Sequence, residues 1–164
     1  MPPRSIRDEI KQRRPFESAE QEAVVALLRT ASDVARRIDA TLATGGLTQP
    51  QYNVLRILRG ADGPLPTMEV AARMVTPTPG ITRLLDRLVG AGLVTRVACR
   101  KDRRRMLCTI TDDGRAALDR LAPSVSEGAV GVMSRLSADD TATLLRLLDE
   151  VREGVRAAER APTT

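Results

Sequence analysis

The sequence predicts a mainly α-helical fold of the α+β class, in which one β-hairpin interrupts a series of helices. Most segments repeat apolar residues at the i, i+3, i+4, i+7 spacing that is typical of amphipathic helices. Only residues 93–99 and 106–111 are strand-like, being rich in Val, Leu, Ile and Thr. At 164 residues, of which 42% are apolar and 29% charged, the chain has the length and composition of one folded domain.

The composition excludes several classes of protein. No stretch approaches the about 18 consecutive apolar residues of a membrane span, and the basic N-terminal segment leads into no apolar signal region. The absence of His and the presence of only two Cys exclude Ser–His and Cys–His nucleophile pairs, His-ligated metals and a disulfide scaffold. We therefore expect a cytoplasmic protein with no membrane partner, no metal, no cofactor and no enzymatic activity.

Glycines and prolines separate the helices of the first half of the chain. A long amphipathic helix is predicted over residues 17–44. A second helix follows Thr48, which is a good N-cap with Pro50 in the first turn. A short third helix follows Thr67, which we expect to be its cap.

The fourth helix has two distinct faces. Thr78 as N-cap and Pro79 at the first helical position predict a helix that runs to Val89. The apolar face is formed by Ile81, Leu84, Leu85 and Leu88. The opposite, polar face carries Thr82, Arg83, Asp86 and Arg87. We interpret Asp86 as the partner of a nearby Arg within the molecule.

Two helices follow the hairpin. A kinked helix that contains Pro123 is predicted from residue 111 or 112 to about Leu136. The last helix begins after Ser137, which opens a sequence similar to a capping box, and runs to about Arg160.

Positive charge is concentrated in the middle of the chain. Residues 66–111 hold nine Lys and Arg against three Asp and Glu, whereas the remainder is close to neutral. The hairpin tip carries Arg100, Lys101, Arg103, Arg104 and Arg105 around a single Asp102. Such a localised basic segment indicates a polyanionic partner.

A short helix, a tight turn, a second helix and a hairpin with a basic tip follow one another in the order of a winged helix-turn-helix. A helix fits the B-DNA major groove, about 12 Å wide, and needs one apolar face for its own core and one polar face for the DNA. The fourth helix has both faces. The hairpin cations are suited to the DNA backbone or to a narrow minor groove. The sequence therefore predicts binding to double-stranded DNA.

The sequence also resembles the multiple antibiotic resistance regulator (MarR) family of bacterial winged-helix transcription factors. The resemblance rests on LTQPQY at 47–52, on ITRLLDRL at 81–88 with GLV at 92–94, and on DRR at 102–104 with the Leu107, Ile110, Thr111 and Gly114 that follow. It covers roughly residues 20–160 and implies a homodimer that binds a pseudo-palindromic operator. Members are most often repressors, and a small-molecule effector often releases them from DNA.

The resemblance implies a division of the chain. Residues 17–46 and 112–160 would form a helical dimerisation region, and residues 47–111 would form the DNA-binding winged helix. We expect residues 1–16 and 161–164 to be flexible tails.

The resemblance also implies roles for individual residues. Thr82, Arg83 and Arg87 match recognition-helix positions that contact bases and phosphates, and Arg103 lies nearest the wing tip. From the sequence pattern itself we add Thr78 and the wing cations Arg100, Lys101 and Arg104 to the expected DNA contacts. Asp102 and Arg104 match the pair that orders the wing loop. The candidates to line an effector cleft are Arg29, Asp33, Arg36 and Tyr52. No motif identifies the effector.

Two other functions stay open. In the first, the protein is a redox-sensing regulator in which Cys99 and Cys108 pair across the hairpin; this requires facing strand positions with Cα atoms within about 7 Å. In the second, the protein is a helical interaction module that docks protein rather than DNA. We interpret the two cysteines as ordinary strand residues.

Overall fold

A computed structural model of the chain describes residues 4–160, so the expected tail at 161–164 lies outside the described residues. The elements in chain order are α1 (Ile6–Glu9), α2 (Ala19–Ala43), α3 (Gln49–Arg59), β1 (Leu65–Pro66), α4 (Thr67–Ala72), α5 (Ile81–Gly90), β2 (Val94–Ala98), β3 (Met106–Ile110), α6 (Asp112–Met133) and α7 (Ala138–Arg160). The predicted fold class, with its helices and one hairpin, is confirmed. The sequence pattern predicted neither α1 nor β1.

The chain forms two compact units, and the boundary lies within α6. The first unit ends at Val125 and the second begins at Ser126. The helix α6 is continuous through Pro123, as predicted. All residues of the buried core lie in the first unit.

Two helices begin at the predicted capping residues. Gln51 closes the first turn of α3 by accepting a hydrogen bond from the Thr48 backbone N–H at 2.9 Å. The Ser137 hydroxyl accepts from the Asp140 N–H at 3.1 Å, at the start of α7. Local side-chain chemistry thus determines these helix starts.

The predicted caps of α4 and α5 are wrong. Thr67 is the first residue of α4, and its hydroxyl donates instead to the Met106 carbonyl at 3.4 Å. The N-cap of α5 is Gly80, in the left-handed conformation with φ of 79°, so the helix begins at Ile81. The Thr78 hydroxyl donates to the Thr76 carbonyl at 3.0 Å, and no side chain caps α5 in the described part of the chain. Because the chain enters α5 through a positive φ, the position favours glycine.

The N-terminal segment, expected to be a flexible tail, contains the short helix α1. The Ser5 hydroxyl caps it by accepting from the Asp8 N–H at 3.2 Å. Glu9 then forms an ion pair with Arg29 of α2 at 2.9 Å. A helix of four residues shows no apolar periodicity, and therefore the sequence pattern did not reveal it.

The sheet is antiparallel with strand order β1-β3-β2. In the hairpin, Val94 pairs with Ile110 and Ala98 with Met106. The two-residue strand β1 adds to the outer edge of β3, where Leu65 pairs with Cys108. Strand β1 is too short to show an alternation of apolar and polar residues, so the sequence pattern did not reveal it. Its Pro66 is tolerated because β1 is an edge strand.

The apolar face predicted for α5 is buried. Leu84, Leu85 and Leu88 are each at most 2% exposed and pack in the same core as Val54, Leu55 and Leu58 of α3. The base of the hairpin is equally tight, since a Cβ on Gly114 would lie 2.3 Å from the Leu93 carbonyl oxygen. The core therefore fixes α5 and the hairpin base in the same unit.

Candidate nucleic-acid interface

The polar face of α5 points away from the core. Thr82, Arg83 and Arg87 are exposed, on the side of the helix opposite its buried leucines. Within residues 4–160, neither Arg83 nor Arg87 forms an ion pair. Both guanidinium groups are therefore available to an external anion.

Asp86, the one acidic residue on this face, forms an ion pair with Arg96 of β2, as the sequence predicted. The Arg96 side chain is only 15% exposed. The pair neutralises Asp86 and leaves the cationic character of the face to Arg83 and Arg87.

The hairpin tip is a cationic projection. Its five cations are all exposed, and none has a carboxylate partner in the described part of the chain: Arg100, Lys101, Arg103, Arg104 and Arg105. Asp102 shapes the tip through the backbone, because its carboxylate accepts from the Arg104 N–H at 3.0 Å and its carbonyl accepts from the Arg105 N–H at 2.9 Å. A carboxylate–backbone hydrogen bond thus joins Asp102 to Arg104, and the wing-ordering role of this pair stays a prediction.

Thr78 lies in the turn before α5 and is half-buried. Its hydroxyl is bonded within the turn. A contact between Thr78 and DNA stays a prediction.

A cavity of about 200 Å³ lies beside α3, next to the turn that leads into α5. Its lining comprises Ile38, Gln49, Pro50, Tyr52, Asn53, Arg56, Met74, Val75, Thr76, Thr78 and Val125. Arg56 is its cation, and no Asp or Glu belongs to the lining formed by the described residues. The cavity is therefore mostly apolar with one positive group.

Only one of the four predicted effector residues lines this cavity. Tyr52 does, whereas Arg29, Asp33 and Arg36 form a separate ion-paired cluster on α2 with Glu9 of α1. Asn53 and Arg56 also line the cavity and were not among the residues predicted from the sequence. The helical spacing of Gln49, Tyr52, Asn53 and Arg56 on one face of α3 is the signal that could have found them.

Comparison with known proteins agrees with this geometry. A model described as MarR family matches residues 45–105. The HTH-type transcriptional regulator TtmR of Methylorubrum extorquens is 30% identical over 141 residues, which cover 86% of this chain and 71% of that protein. This chain belongs to the MarR family.

Two further proteins are similar to this MarR-family chain. The HTH-type transcriptional repressor Rv2887 of Mycobacterium tuberculosis is 29% identical, over 76% of this chain and 89% of that protein. A solved structure of a mutant MarR from E. coli, complexed with operator DNA, is 28% identical with a TM-score of 0.71, over 77% of this chain and 90% of that one. As a MarR-family protein, this chain is a DNA-binding transcriptional regulator and not an enzyme.

The cysteines of this MarR-family wing do not face each other. Arg96, not Cys99, pairs with Cys108, and the Cys99 N–H donates to the Arg105 carbonyl at 2.8 Å. Cys99 lies three positions after Arg96, the residue opposite Cys108. At 3.3 Å per residue, this places Cys99 about 10 Å along the strand direction from the position that faces Cys108. Cys99 and Cys108 therefore do not meet the distance requirement of the redox hypothesis.

The environment of Cys108 also disfavours thiol chemistry. It is fully buried, and this burial raises the pKa of its thiol above the ordinary value. The Thr67 hydroxyl and the Arg96 guanidinium only partly oppose the effect. A raised pKa keeps the group as an unreactive thiol at neutral pH.

No helix among residues 4–160 is long and apolar enough to cross a membrane.

Proposed function

We propose that the protein is a sequence-specific repressor that binds a pseudo-palindromic operator as a homodimer and is released by a small-molecule effector. The observation that carries the proposal is the exposed face of α5, on which Arg83 and Arg87 have no carboxylate partner among residues 4–160, next to a wing of five exposed cations. The repressor from M. tuberculosis and the operator complex of the E. coli protein support it by similarity.

The two basic elements have different roles in this proposal. The helix α5 enters the major groove, where Thr82, Arg83 and Arg87 contact bases and phosphates. The wing cations contact phosphates or the minor groove of the flanking DNA. Thr78, before α5, is a further candidate for a phosphate contact.

Apolar side chains left exposed on the single chain support the homodimer. On α2, Leu28 is 67% exposed and Val24 57%. No residue of α7 is buried, and Leu145, Val151 and Val155 are each about half exposed or more. Exposed apolar faces of this extent mark interaction surfaces. We propose that residues 17–46 and 112–160 bury these faces against a second copy of the chain.

The cavity beside Tyr52 is the proposed effector site. A single cation, Arg56, in an otherwise apolar and neutral lining favours a small organic acid with an apolar body. Together with Glu9, the cluster of Arg29, Asp33 and Arg36 is electrically neutral, which disfavours it as an effector site.

Selection of binding sites from random duplexes by the purified protein tests the proposal. We expect a palindrome whose half-site centres lie about 34 Å, or about 10 bp, apart. Inserting five base pairs between the half-sites turns one of them by half a helical turn and should abolish tight binding. Recovery of no enriched sequence, or of isolated half-sites that bind as tightly as the pair, would contradict the proposal.

A further inference from the structure

One hydrogen bond joins the wall of the cavity to the turn that leads into α5. The Val75 N–H donates to Oδ1 of Asn53 on α3 at 2.8 Å. Within the described residues, no other hydrogen bond connects α3 with the turn of residues 75–80. The Asn53 amide therefore fixes the start of this turn.

The turn has little freedom to absorb a displacement. Pro77 and Pro79 have a fixed φ and no N–H, and each restricts the residue before it. The Thr78 hydroxyl closes the turn on the Thr76 carbonyl at 3.0 Å. The turn ends at Gly80, whose carbonyl accepts from the Leu84 N–H of α5 at 3.2 Å, so a shift of Val75 is passed on to the start of the helix.

Both partners of the hydrogen bond also line the cavity. Asn53 lies on its α3 side, and Val75, Thr76 and Thr78 form its side toward the turn. Val75 is 82% exposed, so its own packing does not hold it in place. A molecule that occupies the cavity would contact the turn and the Asn53 amide at the same time.

We propose that Asn53 is a positioning residue, which sets the position of α5 through Val75 and makes operator binding sensitive to a small acid in the cavity. The inference rests on the proposed function, since it assumes that α5 contacts the operator. In the absence of an occupant, the hydrogen bond holds α5 in its DNA-binding position. An acid that pairs with Arg56 and displaces the Asn53 amide breaks the hydrogen bond.

Three variants separate this role from a general effect on folding. Asn53→Leu keeps the branched shape of the side chain but removes the acceptor, whereas Asn53→Asp keeps an acceptor oxygen. Asp119→Asn is the control, since it breaks the ion pair with Arg59 of α3, and neither residue of that pair lines the cavity or bonds to the turn. The measurements are the exchange rate of the Val75 amide hydrogen by NMR and the Kd for the selected operator.

We expect Asn53→Leu to accelerate Val75 exchange and to weaken operator binding by up to about tenfold, the most that one neutral hydrogen bond contributes. Asn53→Asp and Asp119→Asn should leave both quantities near the wild-type values. Wild-type exchange and affinity in Asn53→Leu would overturn the inference, as would equal losses in Asp119→Asn.

Titration with benzoate, a small aromatic acid, tests the link to the cavity. We expect it to accelerate Val75 exchange and weaken operator binding in the wild type, and to add nothing further in Asn53→Leu. Equal weakening of both proteins, or of neither, would overturn the coupling through Asn53. If the protein bound no DNA, the proposed function would fail, whereas the Val75 exchange rates would still decide whether Asn53 and the cavity control the turn.

Discussion

Arg96 of the wing strand β2 forms an ion pair with Asp86 of α5 and so joins the two elements that carry the DNA-facing cations. The pair is asymmetric, because the Arg96 side chain is 15% exposed and the Asp86 side chain 60%. The Arg96 Cα lies opposite that of Cys108 in the hairpin. The Asp86 carboxylate therefore faces solvent, whereas the Arg96 guanidinium reaches it from a strand position opposite the buried Cys108.

Breaking this pair should cost more than breaking an exposed one. Asp86→Asn leaves a largely buried guanidinium without its counter-charge, and we expect a loss of about 1–2 kcal/mol, between the values for exposed and buried pairs. Urea unfolding of Asp86→Asn, Arg96→Gln and the double variant gives the coupling energy.

Asp119→Asn is the matched control for this cycle. It breaks the Arg59–Asp119 pair at 3.1 Å, whose side chains are 39% and 72% exposed, and should cost less than about 1 kcal/mol. Strictly additive losses at Asp86 and Arg96 would show that the pair does not hold α5 to the wing.

The helix and the wing should contribute different kinds of binding energy. An Arg that contacts a guanine through both of its N–H groups gives about 1–3 kcal/mol of discrimination. We therefore expect Arg83→Ala to weaken operator binding by roughly that amount and to leave binding to random DNA nearly unchanged. Titrations on both duplexes measure the difference.

Arg103→Ala, at the exposed wing tip, should weaken binding to operator and random DNA together. Each lost phosphate contact should lower the slope of log K against log[salt] by about 1. If Arg83→Ala weakens both duplexes equally and Arg103→Ala weakens neither, the assignment of the recognition helix and the wing is wrong.

The exposed apolar side chains of α7 should stabilise the homodimer and should not contribute to the stability of the buried core. Leu145→Glu with Val151→Glu places charges on residues that are 60% and 48% exposed in the single chain. We expect sedimentation velocity to show loss of the homodimer, with retention of helical circular dichroism from the separate core. Arg146→Glu on the same helix is the control, and a dimer that survives the apolar substitutions would contradict the proposed interface.

The two thiols should differ in reactivity without controlling DNA binding. Because burial raises the pKa of Cys108, its thiolate forms only at a higher pH than that of an ordinary thiol. Iodoacetamide at neutral pH should therefore modify Cys99 well before Cys108 in the folded protein. Peroxide should not release the operator, and release that disappears in Cys99→Ser would restore the redox hypothesis.

Gly114 should tolerate no side chain. Its Cβ would lie 2.3 Å from the Leu93 carbonyl oxygen and 2.8 Å from Cγ1 of Ile110, so Gly114→Ala forces backbone to move. We expect a loss of about 1–3 kcal/mol in the free energy of unfolding, as for other overpacked sites. Gly90→Ala, where nothing lies within 4 Å, is the control and should be nearly neutral.

The sequence by itself determined the features that depend on local spacing. The apolar residues of α5 recur at helical intervals, so their spacing alone distinguishes the buried face from the exposed Arg83 and Arg87. The caps of α3 and α7 followed from side chains within three residues of the helix start. The motif at 102–104 identified the wing, because its charge and turn residues are contiguous.

Only the tertiary structure decided the contacts between distant segments. The start of α5 at a Gly80 with positive φ was one such feature, and the hydrogen bond from Val75 of the preceding turn to Asn53, 22 residues earlier, was another. The cavity is formed by side chains from several elements and has no contiguous sequence signal. The hairpin register that separates the two cysteines could not be predicted from the sequence either. Pairing across strands is set by packing against the core and not by strand propensity.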